Sequence, residues 1–246
     1  MFFHHENYEY VVEIINQVKK ADIGLIPPYY INANPDDTRD FLDYLIISFR
    51  LLKEGFIDYE YIFSLYQLEL LGGLSFLNRN LHIHGNERYN FNESELIDLV
   101  KILNYIQTIR NKNFKIDLVL DRFNFTYERK RITDKIIDLA VAYETLFTKK
   151  NDGKDSITFK LKLRIARLLG KDYQEKKNIA KKIDYFYTIR SKIVHGESNV
   201  NKTDSDILNE TKEYLRKSII IYLDKQFQTH FANFDHNSFI DELDYK

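Results

Sequence analysis

Two side chains near the end of one helical segment have the chemistry needed to cut a phosphodiester. In the segment YFYTIRSKIVHGE, residues 185–197, Arg190 precedes His195 by five positions and a glycine follows the histidine. A guanidinium can bind a phosphate through a fork of N–H donors, and an imidazole can move a proton near neutral pH. The pair is therefore a candidate site for cleaving RNA without a metal.

The same five-residue step occurs a second time, where Arg79 precedes His84. In a chain with 12 arginines and 7 histidines, such spacing arises about once by chance, so spacing alone selects neither copy. The stretch around Arg79 lacks a helical period, which favours a loop or a strand edge. On a strand, His82 and His84 would share one face and could bind a metal, and this remains an alternative.

Helical periodicity favours the copy at Arg190. Five residues of an ideal helix turn through about 500°, so Arg190 and His195 project about 140° apart and cannot close on one phosphate oxygen unaided. We therefore expect a symmetric homodimer in which two copies of this helix form the site. Gly196 is the expected residue after the helix end, and the negative helix end would favour the protonated form of His195.

Basic residues are concentrated before this pair. Residues 154–192 carry 12 Lys and Arg against 4 Asp and Glu, a local charge of +8 in a chain of net charge −1. A lysine-rich helix face is often only solvated, but a cationic stretch that ends at a candidate phosphate site favours RNA binding. The residues predicted to bind RNA are Lys192, Arg164, Arg167, Lys181 and Lys182.

Composition and periodicity predict a mainly α protein. Three prolines and eight glycines are too few for the turns of an all-β fold, and the absence of cysteine excludes disulfides and thiolate sites. No apolar run approaches a membrane span and the start has no signal-peptide pattern, so we expect a cytoplasmic protein without a membrane partner. Amphipathic helices are predicted over residues 37–53, 92–109, 133–147 and 204–227.

Two segments fit more than one structure. Residues 157–165 alternate as a strand does, but their apolar residues also fit a helix ended by Gly170 as the C′ residue, and we predict the helix. Residues 57–77 are apolar and aromatic without a clean period, which is compatible with short strands or a buried helix. A capping box is predicted at Asn92 and Glu95.

Three blocks of sequence between about Asp117 and Tyr222 occur in a familiar order. The first runs from Asp121-Arg122-Phe123 into the helical segment TDKIIDLAVAYETLFT, the second is FKLKLRIARLLGK, and the third is the motif segment 185–197. In these blocks the chain resembles the HEPN superfamily, and within it the Apea-like HEPN group. A looser likeness extends upstream to residues 49–58 and 91–100.

The resemblance implies a helical bundle that dimerises through its motif helices. It places this HEPN domain at residues 116–246, after a mostly helical region 1–115 that senses a trigger or completes the fold. It also implies an endoribonuclease that needs no metal or cofactor and acts as a toxin or in defence against phages. The products would carry 2′,3′-cyclic phosphate and 5′-OH ends.

The family's site residues can be placed on this chain one by one. Its arginine falls on Arg190, its histidine on His195, the polar residue beside the arginine on Ser191, and an acidic residue of an earlier helix on Glu144. The helical period also places Glu144 among inward-facing positions, where a carboxylate needs a partner such as Arg190. Serine at 191 departs from the usual asparagine or aspartate, which leaves its role open.

The expected partner is RNA, with tRNA loops and mRNA both compatible, and an antitoxin or a sensor protein remains open. Gly196 and Glu197 stand where toxins paired with a nucleotidyltransferase antitoxin tend to carry a tyrosine, so modification of such a tyrosine is not expected here. The main alternative is a non-catalytic HEPN module in which the same residues hold a nucleotide or a partner. A metal-dependent hydrolase at His82 and His84 is a third possibility.

Overall fold

The structure, a computed structural model, describes residues 35–55, 61–67, 72–78, 91–109, 114–149, 152–153, 157–196, 201–228 and 234–245. It is mainly α-helical, as predicted. The chain divides into two compact units, one within Met1–Thr108 and one within Ile109–Lys246. Among the described residues, no helix is both long and apolar enough to cross a membrane.

The first unit contains helices and a β-hairpin. The elements described in it are α1 (Pro35–Leu52), β1 (Tyr61–Gln67), β2 (Gly72–Asn78), a 3₁₀ turn (Glu93–Glu95) and α2 (Leu96–Ile109). The strands pair antiparallel, with Tyr61 opposite Asn78 and Gln67 opposite Gly72. The sequence of residues 57–77 was compatible with short strands or with a buried helix. In the structure this segment contains β1 and most of β2.

The start of α2 shows the predicted capping. The side-chain oxygen of Asn92 accepts a hydrogen bond from the Ser94 amide at 3.0 Å, and Glu95 accepts one from the Asn92 amide at 2.8 Å. The Lys53 ammonium lies 2.6 Å from the same Glu95 carboxylate, which ties the end of α1 to this turn. Between the two helices lies an apolar cluster of Leu45, Phe49, Leu99 and Leu103.

In the residues that the structure describes, the second unit is a bundle of six helices. They are α3 (Phe114–Glu128), α4 (Ile132–Phe147), α5 (Ile157–Leu169), α6 (Tyr173–Val194), α7 (Lys202–Gln228) and α8 (His236–Tyr245). Helix α4 packs against α3, α5, α6 and α7. Its apolar residues recur at helical spacing and are buried on one face: Ile136, Leu139, Ala140, Tyr143 and Phe147.

The helix predicted over residues 157–165 is confirmed, but the role given to Gly170 is wrong. Helix α5 ends at Leu169, yet Gly170 is not among the glycines with positive φ. A Cβ at this position would lie 2.5 Å from Lys176 Cγ and 2.8 Å from the Ala166 carbonyl oxygen. Glycine is therefore required here because the chain passes close to the first turn of α6.

A buried ion-pair network joins α5, α8 and the loop after α4. The Arg164 side chain has no exposed surface and donates to Asp244 through two nitrogens, each at 2.7 Å. It also donates to Asp152 and to the Phe147 carbonyl. Burial alone would raise the pKa of Asp152, but hydrogen bonds from Arg164 and Lys160 hold that pKa well below its usual range.

Removing one carboxylate from this network should be costly. We expect Asp152→Ala to lower the free energy of unfolding by roughly 3–5 kcal/mol, because it leaves part of a fully buried guanidinium without its partner. The matched control is Asp241→Ala, which removes a carboxylate that is 49% exposed and pairs with Lys149. The control should cost at most about 1 kcal/mol. Urea denaturation measures both, and equal losses would contradict this account.

His236 holds α8 against the end of α4 and against α7 through both ring nitrogens. Its Nε2 lies 2.9 Å from the Thr148 carbonyl oxygen, and its Nδ1 lies 3.2 Å from the Tyr222 hydroxyl. Since a carbonyl only accepts, Nε2 carries the proton and Nδ1 accepts from Tyr222. Burial lowers the pKa of His236, aided by the charges of Lys115 and Arg164 and opposed by the Thr148 hydrogen bond and by Asp235.

The lowered pKa of His236 makes stability pH-dependent. The neutral ring is favoured in the folded state, so its contribution is complete above the ordinary histidine pKa of about 6.5 and is lost as pH falls below that value. We expect the native chain to lose stability relative to His236→Gln between pH 7 and pH 5, because glutamine can make both hydrogen bonds without titrating. Tyr222→Phe keeps the imidazole and should keep the pH dependence. Identical slopes for the native chain and His236→Gln, measured by urea denaturation, would refute the assignment.

Candidate active site on helix α6

The local sequence fixes both ends of the motif helix. Asp172 is the N-cap, and its side chain accepts a hydrogen bond from the Glu175 amide at 2.8 Å. At the other end His195 is the C-cap, and Gly196 follows with φ of 91°. That left-handed conformation favours glycine, so the predicted helix end at Gly196 is confirmed.

Helix α6 presents two different faces. One face is buried in the bundle and carries Ile179, Ile183, Phe186 and Tyr187. The opposite face is exposed along Lys181, Asp184, Thr188, Ser191 and His195. Arg190 lies at the margin of the buried face, three residues after Tyr187, whereas His195 lies on the exposed face. The two motif side chains therefore diverge, as their spacing predicts.

The structure brings Arg190 and Glu144 together. Arg190 Nη2 lies 3.6 Å from Glu144 Oε1, and each side chain is 35% exposed. Glu144 is thus half-buried at the edge of α4 rather than enclosed among the inward-facing residues that its period suggested. The separation is an ion-pair distance but exceeds that of a hydrogen bond, so the carboxylate orients the guanidinium without saturating its donors.

Tyr187 is a third member of this group, although it was not among the residues predicted from the sequence. Its hydroxyl is buried and, like Arg190 Nε, has no hydrogen-bond partner within the part of the chain that the structure describes. Burial raises the pKa of Tyr187 well above its usual range, the Glu144 charge raises it further, and Arg190 opposes the rise. Its spacing could have indicated this, because Tyr187 lies three residues before Arg190 and therefore on the same helical face.

The other predicted site residues lie in different environments. Ser191 and Lys192 are exposed at the end of α6, and Lys181 is exposed two to three turns earlier. The Lys182 ammonium lies 2.6 Å from the Glu210 carboxylate, and that interaction raises the pKa of Lys182. Arg79, His82 and His84, the second copy of the motif, lie outside the described residues.

Two of the predicted RNA-binding residues have structural roles. The prediction for Arg164 is wrong, because a guanidinium with no exposed surface, held by Asp152 and Asp244, cannot reach an RNA backbone. Arg167 Nη1 donates to the carbonyl oxygens of Leu243 and Asp244, both at 2.9 Å. It thereby satisfies carbonyls in the last turn of α8, which a helix leaves without intrahelical partners.

No family model, no curated protein and no solved structure matches this chain. Support for a function therefore comes from the group at the end of α6. That group combines a half-buried guanidinium beside a carboxylate, a buried hydroxyl, and an exposed imidazole at the helix end.

The hydroxyl of Tyr187 should be dispensable for folding. We expect Tyr187→Phe to leave the free energy of unfolding unchanged or to raise it by up to about 1 kcal/mol, because it removes a buried hydroxyl that has no hydrogen-bond partner among the described residues. Tyr143→Phe is the matched control, since the Tyr143 hydroxyl donates to the Thr211 carbonyl. The control should lose about 1 kcal/mol. A larger loss in Tyr187→Phe than in the control, measured by thermal or urea unfolding, would disprove this interpretation.

Proposed function

We propose that this chain is a metal-independent endoribonuclease of the HEPN type that acts as a toxin or as an effector of antiphage defence. The proposal rests on how the Arg190 guanidinium is positioned. Its guanidinium is positioned by Glu144 at 3.6 Å, its Nε has no hydrogen-bond partner in the described part of the chain, and an imidazole follows five residues later. A guanidinium held in this way is suited to bind a phosphate oxygen.

The proposed reaction is transesterification within RNA. The 2′-oxygen attacks the adjacent phosphorus, its proton passes to His195, and the bond from phosphorus to the 5′-oxygen breaks as that oxygen receives a proton. Arg190 stabilises the charge that develops on the non-bridging phosphate oxygens. The products are a 2′,3′-cyclic phosphate and a 5′-OH end.

A homodimer would bring the phosphate-binding arginine and the proton-transferring histidine together. Because Arg190 and His195 diverge on one helix, a two-fold axis beside α6 would place the arginine of each copy near the histidine of the other. Two imidazoles would then be present, one to accept a proton and one to supply it. The exposed face of α6 and Val194, which is 55% exposed, provide the surface that a second copy would cover.

RNA is the proposed partner, and the cytoplasm is the proposed place of action. Exposed Lys181 and Lys192 would contact backbone phosphates, and the Ser191 hydroxyl would donate to a phosphate oxygen near Arg190. The region before residue 116 would respond to a trigger, an antitoxin or a sensor partner. The same side chains would also allow a non-catalytic module that holds a phosphate without cutting it, and the experiment separates the two.

The test is sequencing of 5′-OH RNA ends after induced expression in a bacterial host, with and without phage challenge. We expect new ends with the native chain, reduced about 100-fold or more in His195→Ala and in Arg190→Ala. Asp241→Ala is the control, since Asp241 is 49% exposed on α8 and belongs neither to the proposed site nor to the face of α6 that a second copy would cover. Its cleavage should equal that of the native chain.

Other outcomes would indicate a different site or a different function. New ends that persist in His195→Ala but vanish in His84→Ala would move the site to the second copy of the motif. Cleavage by purified protein that EDTA abolishes would favour the metal-dependent alternative. RNA that is bound but stays intact under every condition, with no growth defect, would instead support the non-catalytic module.

A further inference from the structure

An exposed aromatic side chain lies in the first turn of α6, at the opposite end of the helix from His195. Tyr173 is 78% exposed, so its ring is not part of the core of the bundle. Within the part of the chain that the structure describes, the only ring or cation contact of this ring is with the Lys177 ammonium, 6.0 Å from the ring centroid. The ring and the neighbouring cation are therefore available to a ligand at the protein surface.

Three lysines around this ring are not paired with carboxylates. Lys171, Lys177 and Lys181 are exposed, and their ammonium groups make no hydrogen bond or ion pair with the described residues. The neighbouring Lys182 differs, because its ammonium lies 2.6 Å from the Glu210 carboxylate. We call Lys171, Tyr173, Lys177 and Lys181 the Tyr173 surface.

The carboxylates closest in sequence to this surface bind backbone amides. Asp172 accepts a hydrogen bond from the Glu175 amide and Glu175 accepts one from the Lys171 amide, each at 2.8 Å. Glu175 also projects about 160° away from Lys177, since two residues of a helix turn through about 200°. Helix α5, which packs beside α6, contains no acidic residue.

Helix α7 also packs on α6, and three of its carboxylates have partners: Glu210 binds Lys182, Glu213 binds Arg216, and Asp204 accepts from the Tyr185 hydroxyl. Because the first and last of these contacts show that α6 and α7 run antiparallel, the exposed Asp206 lies beside residues 182–185 of α6. Tyr173 and Lys177 lie more than one turn before that stretch. The positive charge around Tyr173 is therefore not taken up by ion pairs.

The Tyr173 surface continues into the face of α6 that carries His195. Exposed residues at steps of three or four connect the two ends of the helix: Tyr173, Lys177, Lys181, Asp184, Thr188, Ser191 and His195. Tyr173 and His195 are separated by a rise of roughly 33 Å. In the proposed dimer the second copy would meet the last turns of α6, so the Tyr173 surface would stay accessible. An extended strand on this face would then reach from the ring toward the proposed site.

We propose that the Tyr173 surface binds single-stranded RNA, with an unpaired base stacked on the Tyr173 ring and backbone phosphates bound by Lys171, Lys177 and Lys181. A base inside a duplex has both faces covered by its neighbours, so an unpaired base is the one that stacks on a protein ring. Because RNA is the substrate under the proposed function, this binding mode rests on that function and makes unpaired RNA its substrate class.

The side chains of this face favour a nucleic acid over an anionic membrane. A helix that lies in a membrane interface buries an apolar face among the lipids. Between Tyr173 and His195 the exposed stripe carries charged and hydroxyl side chains instead: Lys177, Lys181, Asp184, Thr188 and Ser191. A single ring among cations fits a strand that offers both bases and phosphates.

The experiment measures the fluorescence anisotropy of a labelled, 2′-O-methylated oligouridylate of about 16 nucleotides during titration with the full chain. The methyl groups prevent attack by a 2′-oxygen, so the probe stays intact whether or not the protein cuts RNA. We expect saturable binding that is weakened about 10-fold in Tyr173→Ala and retained in Tyr173→Phe, which keeps the ring. Lys177→Gln should reduce the slope of log affinity against log salt concentration by about 0.7. Tyr245→Ala removes a 90% exposed ring from α8 and is the matched control, which should bind as the native chain does.

Three results would overturn the proposal: no saturable binding by the native chain, native affinity in Tyr173→Ala, or equal affinity for the probe annealed to oligoadenylate. Tyr173-dependent binding to phosphatidylserine vesicles without RNA binding would overturn it too and would assign a membrane surface. Failure of the ribonuclease proposal gives a different pattern, because Tyr173-dependent binding would then occur without new 5′-OH ends. New ends from the native chain together with unchanged binding in Tyr173→Ala would keep the ribonuclease and reject the Tyr173 surface.

Discussion

Burial of one face of α4 is the constraint on which the rest of the second unit depends. Helices α3, α5, α6 and α7 pack on α4, and its Tyr143 ring meets Phe186 of α6 edge to face at a centroid distance of 6.1 Å. Glu144 follows Tyr143 directly, so the contact that buries the tyrosine also sets the carboxylate at the margin beside α6. The Glu144–Arg190 pair is thus positioned mainly by apolar packing, because a half-exposed ion pair contributes little stability of its own.

The same packing explains why the motif residues diverge. Helix α6 must bury Phe186 and Tyr187, and this fixes the rotation of the helix and leaves Arg190 at the boundary of the core. His195 is then directed to solvent at the helix end, where Gly196 stops the helix. A single copy therefore holds the guanidinium and the imidazole on different surfaces. The proposed reaction uses both groups, and in it a second copy would supply the missing one.

Much of this arrangement was predictable because it depends on local spacing. Apolar periodicity located α1, α2, α4, α5, α6 and α7 but did not predict α3 or α8, and the glycine after His195 located the end of α6. The period of α4 placed Glu144 further inward than the structure does, and Arg190 was expected as its partner because a buried carboxylate needs one. Arg164 could not be placed in this way, since its partner Asp244 lies 80 residues further along the chain. The function of Gly170 likewise follows from the close approach of Lys176, a packing detail that no local pattern encodes.

Long-range contacts also change how much of the positive charge of the basic segment is available to a ligand. Counted along the chain, residues 154–192 have a charge of +8. In the fold, Arg164 is neutralised by two aspartates, and Lys160, Lys162 and Lys182 each face a carboxylate. In the part of the segment that the structure describes, the exposed lysines that remain are Lys171, Lys177, Lys181 and Lys192, spread from the residue before the N-cap of α6 to its last turn. Under the proposed function, recognition of RNA would then depend on separate contacts along α6, because four of the segment's basic residues are held by carboxylates.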